Sequence, residues 1–204
     1  MTDDLERRLS AGAPRRDFDL AAFRTALGER ADRDGLVDVA VGRLDSPLGT
    51  LTAMVTDRGL VRLAYPGEGI DERLAEVAER VSPRVLAVAA RTDPVRRQLD
   101  EYFAGRRTAF DVPIDWRLVR GFAGAVLAAT ARIPFGAVSS YREIAADAGS
   151  PNAYRAAGNA LGSNPVPIVV PCHRVLHAGG GLGGYTGGLD RKRFLLQLEG
   201  VLDG

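Results

Sequence analysis

The sequence is poor in the residues that most often carry chemistry. One cysteine in 204 residues excludes an internal disulfide, and a reducing, cytoplasmic compartment is the simplest expectation. With only two histidines beside that cysteine, the usual four-ligand Cys/His zinc shell cannot close. No metal and no cofactor are expected. No apolar run approaches the ~18 residues that span a bilayer. The opening "MTDDLERRLS" lacks the basic-then-apolar build of a secretory signal, so no membrane partner is expected. Lysine is nearly missing: Lys192 stands alone among 27 basic residues, a bias read first as genome composition. Net charge of one sign is lacking too, with 27 basic residues against 26 acidic. The balance is uneven, however. From Arg117 onward nine basic residues face five acidic ones, leaving 18 against 21 before it. This basic bias fits an anionic partner, although a solvated charged surface explains it about as well.

Periodicity divides the chain into three parts. Residues 1–36 read as an extension. A polar start is followed by a helix in "DFDLAAFRTALGERADRDG", capped by Asp17 or Asp19, with Leu20, Phe23 and Leu27 at helical spacing and Gly35 as its stop. Residues 37–114 read as an α/β domain. The strands "TLTAMV" and "LVRLAY" are separated by turn signals, an antiparallel meander with one face buried. Two helices follow. One carries Leu74, Val77 and Val81 on a stripe, and the other has Asp93 as cap and Pro94 in its first turn. Residues 115–204 read as mostly helical. Val119, Phe122, Val126 and Leu127 share one face, and Ser140 with Glu143 forms a capping box. "SSYREIAADAGSPNAYRAAGNALGSN" has a helix-turn-helix pattern, which many non-DNA helical hairpins share. "PVPIVV" reads as an extended segment, and the last helix turns Phe194, Leu195 and Leu198 inward and stops at Gly200. The fold class expected is α+β.

All the scarce cysteine and histidine falls in "NPVPIVVPCHRVLHAGG". A lone cysteine is usually a small buried hydrophobe. Here Pro171 forces a bend before Cys172, and His173 and Arg174 raise the local positive potential, which favours thiolate. His173 is a candidate base acting through a water, oriented by Glu199 near the end of the final helix. His177, in the glycine-rich loop, is expected to face solvent. A thiol hydrolase and an alkyl-group acceptor both satisfy this pattern, and spacing does not choose between them.

"NPVPIVVPCHRV", with "IPFGAVSSYREIA" and "YRAAGNALGSN" before it and "GGYTGGLDRKRFLLQLEG" after it, resembles the O6-alkylguanine-DNA alkyltransferases. The resemblance is strong over about residues 117–204, loose over 38–116 and absent from the first 36. It implies a ribonuclease H-like first domain and a winged helix-turn-helix-like second domain. It also implies irreversible, single-turnover transfer of an alkyl group from O6 of guanine, or O4 of thymine, to Cys172 after nucleotide flipping. In that reading His173 deprotonates Cys172, Glu199 holds His173, Asn164 ties the active-site turn to the helix-turn-helix, and Tyr141 gives a proton or hydrogen bond to the departing guanine. Arg155 is the residue that fills the gap in the duplex. Arg142, Ser150, Gly158 and position 154, taken as a small alanine, join Arg155 and Tyr141 at the DNA. Val175, Tyr185, Thr186 and Pro167 form the substrate pocket. The partner is double-stranded DNA containing O6-alkylguanine, bound through its minor groove by a monomer. A non-catalytic lesion binder and a Cys-His hydrolase are the alternatives.

Overall fold

The computed structural model describes residues 19–203; the polar start expected over the first 17 residues lies outside them. Helix α1 (Leu20–Arg33) is capped by Asp19, whose side chain accepts from the Ala22 backbone N–H at 2.9 Å. Three strands follow, β1 (Val39–Leu44), β2 (Leu51–Thr56) and β3 (Gly59–Ala64), then α2 (Ile70–Arg80), β4 (Val85–Ala87) and α3 (Ala89–Phe103). The sheet order is β3-β2-β1-β4. The meander β1-β2-β3 is antiparallel, with Leu44 opposite Leu51 and Thr52 opposite Ala64. The short edge strand β4 pairs parallel with β1 and was not foreseen.

The expectation of one buried face is corrected: every residue of β2 and β3 is buried. Leu51, Ala53 and Leu63 face a core shared with Val95, Leu99 and Tyr102 of α3 and with the helices of the second half. Met54 and Val61 pack on the other side against Val77 of α2 and Leu118. A sheet covered on both faces needs no polar alternation, which is why the period-2 signal was weak. Helix α3 also differs from expectation. It starts at Ala89, so Asp93 is not its cap and Pro94 lies inside it. The Thr92 hydroxyl donates back to the Ala89 carbonyl in its first turn.

A 3-10 turn (Trp116–Leu118) leads into α4 (Gly121–Thr130), which leaves Val119 outside the helix. Strand β5 (Ser139–Ser140), α5 (Tyr141–Asp147) and α6 (Tyr154–Gly162) form the helix-turn-helix. The capping box is present in full: the Ser140 hydroxyl accepts from Glu143 N at 3.2 Å and the Glu143 carboxylate accepts from Ser140 N at 2.7 Å, a cap worth about 1 kcal/mol. A second 3-10 turn (Cys172–Arg174), β6 (Val175–Leu176), which pairs parallel with β5, and α7 (Leu189–Leu198) complete the chain. Gly200, at φ 71°, ends α7 as expected. No helix among the described residues is long and apolar enough to cross a membrane.

Candidate active site

The segment before Cys172 is not extended, as its valines and prolines had indicated, but folded into a tight turn. Val170 N–H donates to the Val166 carbonyl at 2.9 Å, and Ile168 sits at φ 73°, the only non-glycine residue with positive φ among the described residues. A β-branched residue in that region costs roughly 1–3 kcal/mol. Complete burial of the Ile168 side chain holds it there. Asn164 closes the turn from the end of α6. Its Nδ2 donates to the Val170 carbonyl at 2.8 Å and to Cys172 Sγ at 3.1 Å, and its Oδ1 accepts from Val166 N at 3.0 Å. Cys172 is 7% exposed, and burial pushes its thiol up to about 11, against the pull of the Asn164 hydrogen bond and the Lys192 charge. The expectation that His173 and Arg174 favour the thiolate is therefore corrected. Burial holds the His173 pKa below its usual value, so the ring is neutral at pH 7. The Arg174 charge is taken up by a carboxylate.

That carboxylate is Glu199, at the C-cap of α7, with its side chain wholly buried. Arg174 holds it with two charge-assisted hydrogen bonds, from Nε to Oε2 and from Nη2 to Oε1, both 2.8 Å, and Arg174 Nη1 also donates to the Ile133 carbonyl. The Tyr102 hydroxyl donates to Glu199 Oε1 at 2.6 Å, and His173 Nε2 lies 3.0 Å from the same oxygen. Burial alone would raise this carboxyl. The hydrogen bonds from His173, Arg174 and Tyr102 outweigh it and bring the pKa down to about 2. An ionised carboxylate only accepts, so Nε2 of the neutral His173 carries the ring proton. His173 Nδ1 then keeps a free lone pair, and it is buried without a hydrogen-bond partner.

Cys172 borders an open cavity of about 700 Å³, lined also by Tyr141, Arg142, Arg155, Gly158, Tyr185 and Thr186, all singled out in the sequence, and by Tyr154, a tyrosine where an alanine was expected. The Tyr141 phenol has its pKa raised by burial and then by the Cys172 charge. Gly158 packs beside its ring, where a Cβ would stand at 3.7 Å, an ordinary van der Waals contact. Thr186 Oγ1 donates to the Gly162 carbonyl, fastening the glycine-rich loop to α6. His177 is exposed at the same rim, its ring centroid 5.3 Å from that of Tyr141. Pro167 lies instead on a smaller cavity of about 240 Å³ behind Cys172, with Asn164 and Tyr185. Val175 is fully buried; its carbonyl accepts from Lys192 Nζ at 2.7 Å, and the Cys172 carbonyl accepts from Val175 N–H. Ser150 occupies the turn between α5 and α6, where its carbonyl accepts from Ala153 N, away from the cavity lining.

Three residues were missed in the sequence. Lys192 is fully buried beneath Val175, and burial lowers its ammonium to about 8 while the nearby Cys172 charge favours the protonated form. Its solitary status among the basic residues was the available signal. Tyr102, on α3, reaches Glu199 across 97 positions, and no local pattern encodes that. Tyr65, after β3, shares a 2.7 Å hydrogen bond with the Tyr185 hydroxyl. These last two contacts make the sheet-bearing half part of the site.

Known proteins resemble this chain in sequence and fold. Residues 39–116 match the family described as 6-O-methylguanine DNA methyltransferase, ribonuclease-like domain, and residues 121–201 match its DNA binding domain. A methylated-DNA–protein-cysteine methyltransferase of Mycolicibacterium paratuberculosis is 44% identical over 156 residues, 76% of this chain and 89% of the relative. The inducible Bacillus subtilis protein of that name is 40% identical over 146 residues, covering 71% of this chain and 80% of its own. Among solved structures, Mycobacterium tuberculosis OGT in complex with DNA superposes with a TM-score of 0.68 at 40% identity, over 79% of this chain and 92% of that one. With both halves matched in order, the chain belongs to the O6-alkylguanine-DNA alkyltransferase family, the methylated-DNA–protein-cysteine methyltransferases.

Proposed function

We propose that the protein repairs DNA by moving an alkyl group from O6 of guanine to Cys172. DNA is its partner, and the acceptor thiol belongs to a DNA-binding domain formed by residues 115–204, with residues 37–114 buttressing it and residues 1–36 as an extension. The observation that carries the reading is the pairing of a thiol at the floor of an open cavity with a neutral histidine, one of whose ring nitrogens is buried and unpartnered. O6 is sealed inside a duplex, so the nucleotide must first leave the stack, at a cost of a few kcal/mol that a poorly paired damaged base reduces. Helix α6, rich in alanine and glycine, presses closely into the minor groove, and Arg155 fills the vacated position. Degenerate minor-groove contacts suit a protein that must act in any sequence context.

In the reacting complex a water relays the Cys172 proton to His173 Nδ1, and Glu199 stabilises the imidazolium that forms. Sγ attacks the alkyl carbon, the carbon–O6 bond breaks, and the guanine leaves as an anion that takes a proton or hydrogen bond from Tyr141. The product thioether has no leaving group suited to hydrolysis, so each molecule reacts once. The O4 position of thymine presents the same bond. A thiol pushed up to about 11 is poorly ionised until this relay acts, which protects it from stray electrophiles in a reducing cytoplasm. Incubation with duplex carrying a labelled O6-methyl group is the test. One label per protein molecule, lost in Cys172→Ser, is expected. Binding without label transfer would favour a lesion binder, and neither binding nor transfer would favour a hydrolase.

A further inference from the structure

The first residue of α6 is an aromatic side chain that the fold does not use. Tyr154 is 39% exposed and joins none of the hydrophobic clusters of the core, unlike Tyr65, Tyr102, Tyr141 and Tyr185. The Arg142 guanidinium, from α5, lies 5.7 Å from its ring centroid, and that of Arg155 lies at the same distance. Both fall inside the ~6 Å reach of a cation–π contact. Among the described residues neither arginine pairs with a carboxylate. An exposed ring held by two unneutralised cations therefore stands at the mouth of the cavity that ends at Cys172.

We propose that Tyr154 is a stacking platform for the duplex base that loses its neighbour when the reacting nucleotide leaves the helix. The inference rests on the DNA-repair reading above and adds a residue role to it. Every base offers a π-face, so stacking on a tyrosine works for any flanking sequence. The two arginines suit the role as well. Arg142 supplies charge for a flanking phosphate, and both cations hold the ring at the surface of the free protein. Arg155 enters the gap, and Tyr154 caps the adjacent base.

The test compares Tyr154→Ala, Tyr154→Leu and Tyr154→Phe in the full chain, with two readouts. One is the single-turnover rate on duplex containing O6-methylguanine, measured against duplex concentration. The other is the rate on free O6-benzylguanine base, which needs no flipping. Alanine and leucine should weaken the half-saturating duplex concentration roughly tenfold, and phenylalanine should restore it to within about twofold. The melting temperature should stay at the wild-type value in all three, because the ring packs on no core, and any loss on the free base should be several-fold smaller than the loss on duplex. Leucine performing as well as phenylalanine would overturn the stacking role, as would an alanine variant indistinguishable from wild type. Equal losses on free base and duplex would overturn it too, because they would make Tyr154 a contact of the reacting base rather than of its neighbour in the duplex. If the wild-type protein itself reacted with free base but neither bound nor repaired duplex, the failure would lie in the DNA-repair reading.

Discussion

Glu199→Ala is expected to lower stability by about 3–5 kcal/mol, the usual result of stripping one partner from a buried ion pair. The substitution removes the carboxylate that accepts from Arg174, Tyr102 and His173 together, and it leaves the Arg174 guanidinium, 5% exposed, with only the Ile133 carbonyl among its present acceptors. Glu199→Gln keeps the volume but not the charge, so it should fall between alanine and wild type. The network also sets a pH dependence. The carboxyl titrates near 4.5 when free and near 2 in the folded protein, so folding favours its ionised form. The stabilisation is complete above about pH 4.5, is worth about 3 kcal/mol, and is lost as pH falls toward 2. Urea unfolding at pH 7 and pH 3 measures both effects. Wild type should lose stability on acidification by more than Glu199→Gln does. Equal stability of wild type and Glu199→Ala at pH 7 would contradict the account.

His173→Ala should cut the rate of alkyl transfer by about 10²–10⁴-fold, the range for a lost general base. The thiol depends heavily on that base because burial holds it up to about 11. Duplex affinity should not change, since His173 does not line the cavity. The pH profile carries a second signature. Burial lowers the His173 pKa from its ordinary 6.5, so the neutral ring persists on the acid side of that value. The acid limb of the wild-type rate should therefore lie below 6.5. Stopped single-turnover assays across pH 5–8 give both numbers. A limb at or above 6.5, or an alanine variant within a few-fold of wild type, would show that the proton leaves by another route.

The sequence and the structure agree most closely where the signal is local. Ser140 and Glu143 sit three apart and form their capping box, and Gly200 stops α7. Over longer separations the family resemblance, not a local signal, named the neighbours: Asn164, Tyr141 and Tyr185 gather around the Cys172 thiol, and Glu199 reaches His173 from the last helix. Legibility ended where one part of the chain answers another. Tyr102 and Tyr65 enter the site because the sheet-bearing half packs on the helical half, and nothing near them in sequence announces a partner about 100 positions away. The valine-rich run before Cys172 looked extended because β-branched residues favour strands; the buried Ile168 at positive φ shows tertiary packing overriding that preference. The electrostatics of the thiol were misread for a related reason. Adjacent positive residues were counted as charges on Cys172, whereas Glu199 neutralises one and burial discharges the other.

The central claim is that Cys172 itself becomes the alkylated group. Peptide mapping by mass spectrometry, after reaction with one equivalent of duplex containing O6-methylguanine, tests it most directly. The account predicts a single added methyl on the peptide containing Cys172, full conversion at equimolar lesion, and an unmodified guanine left in the DNA. Repaired DNA with an unmodified Cys172, or repair of many lesions per protein molecule, would contradict it.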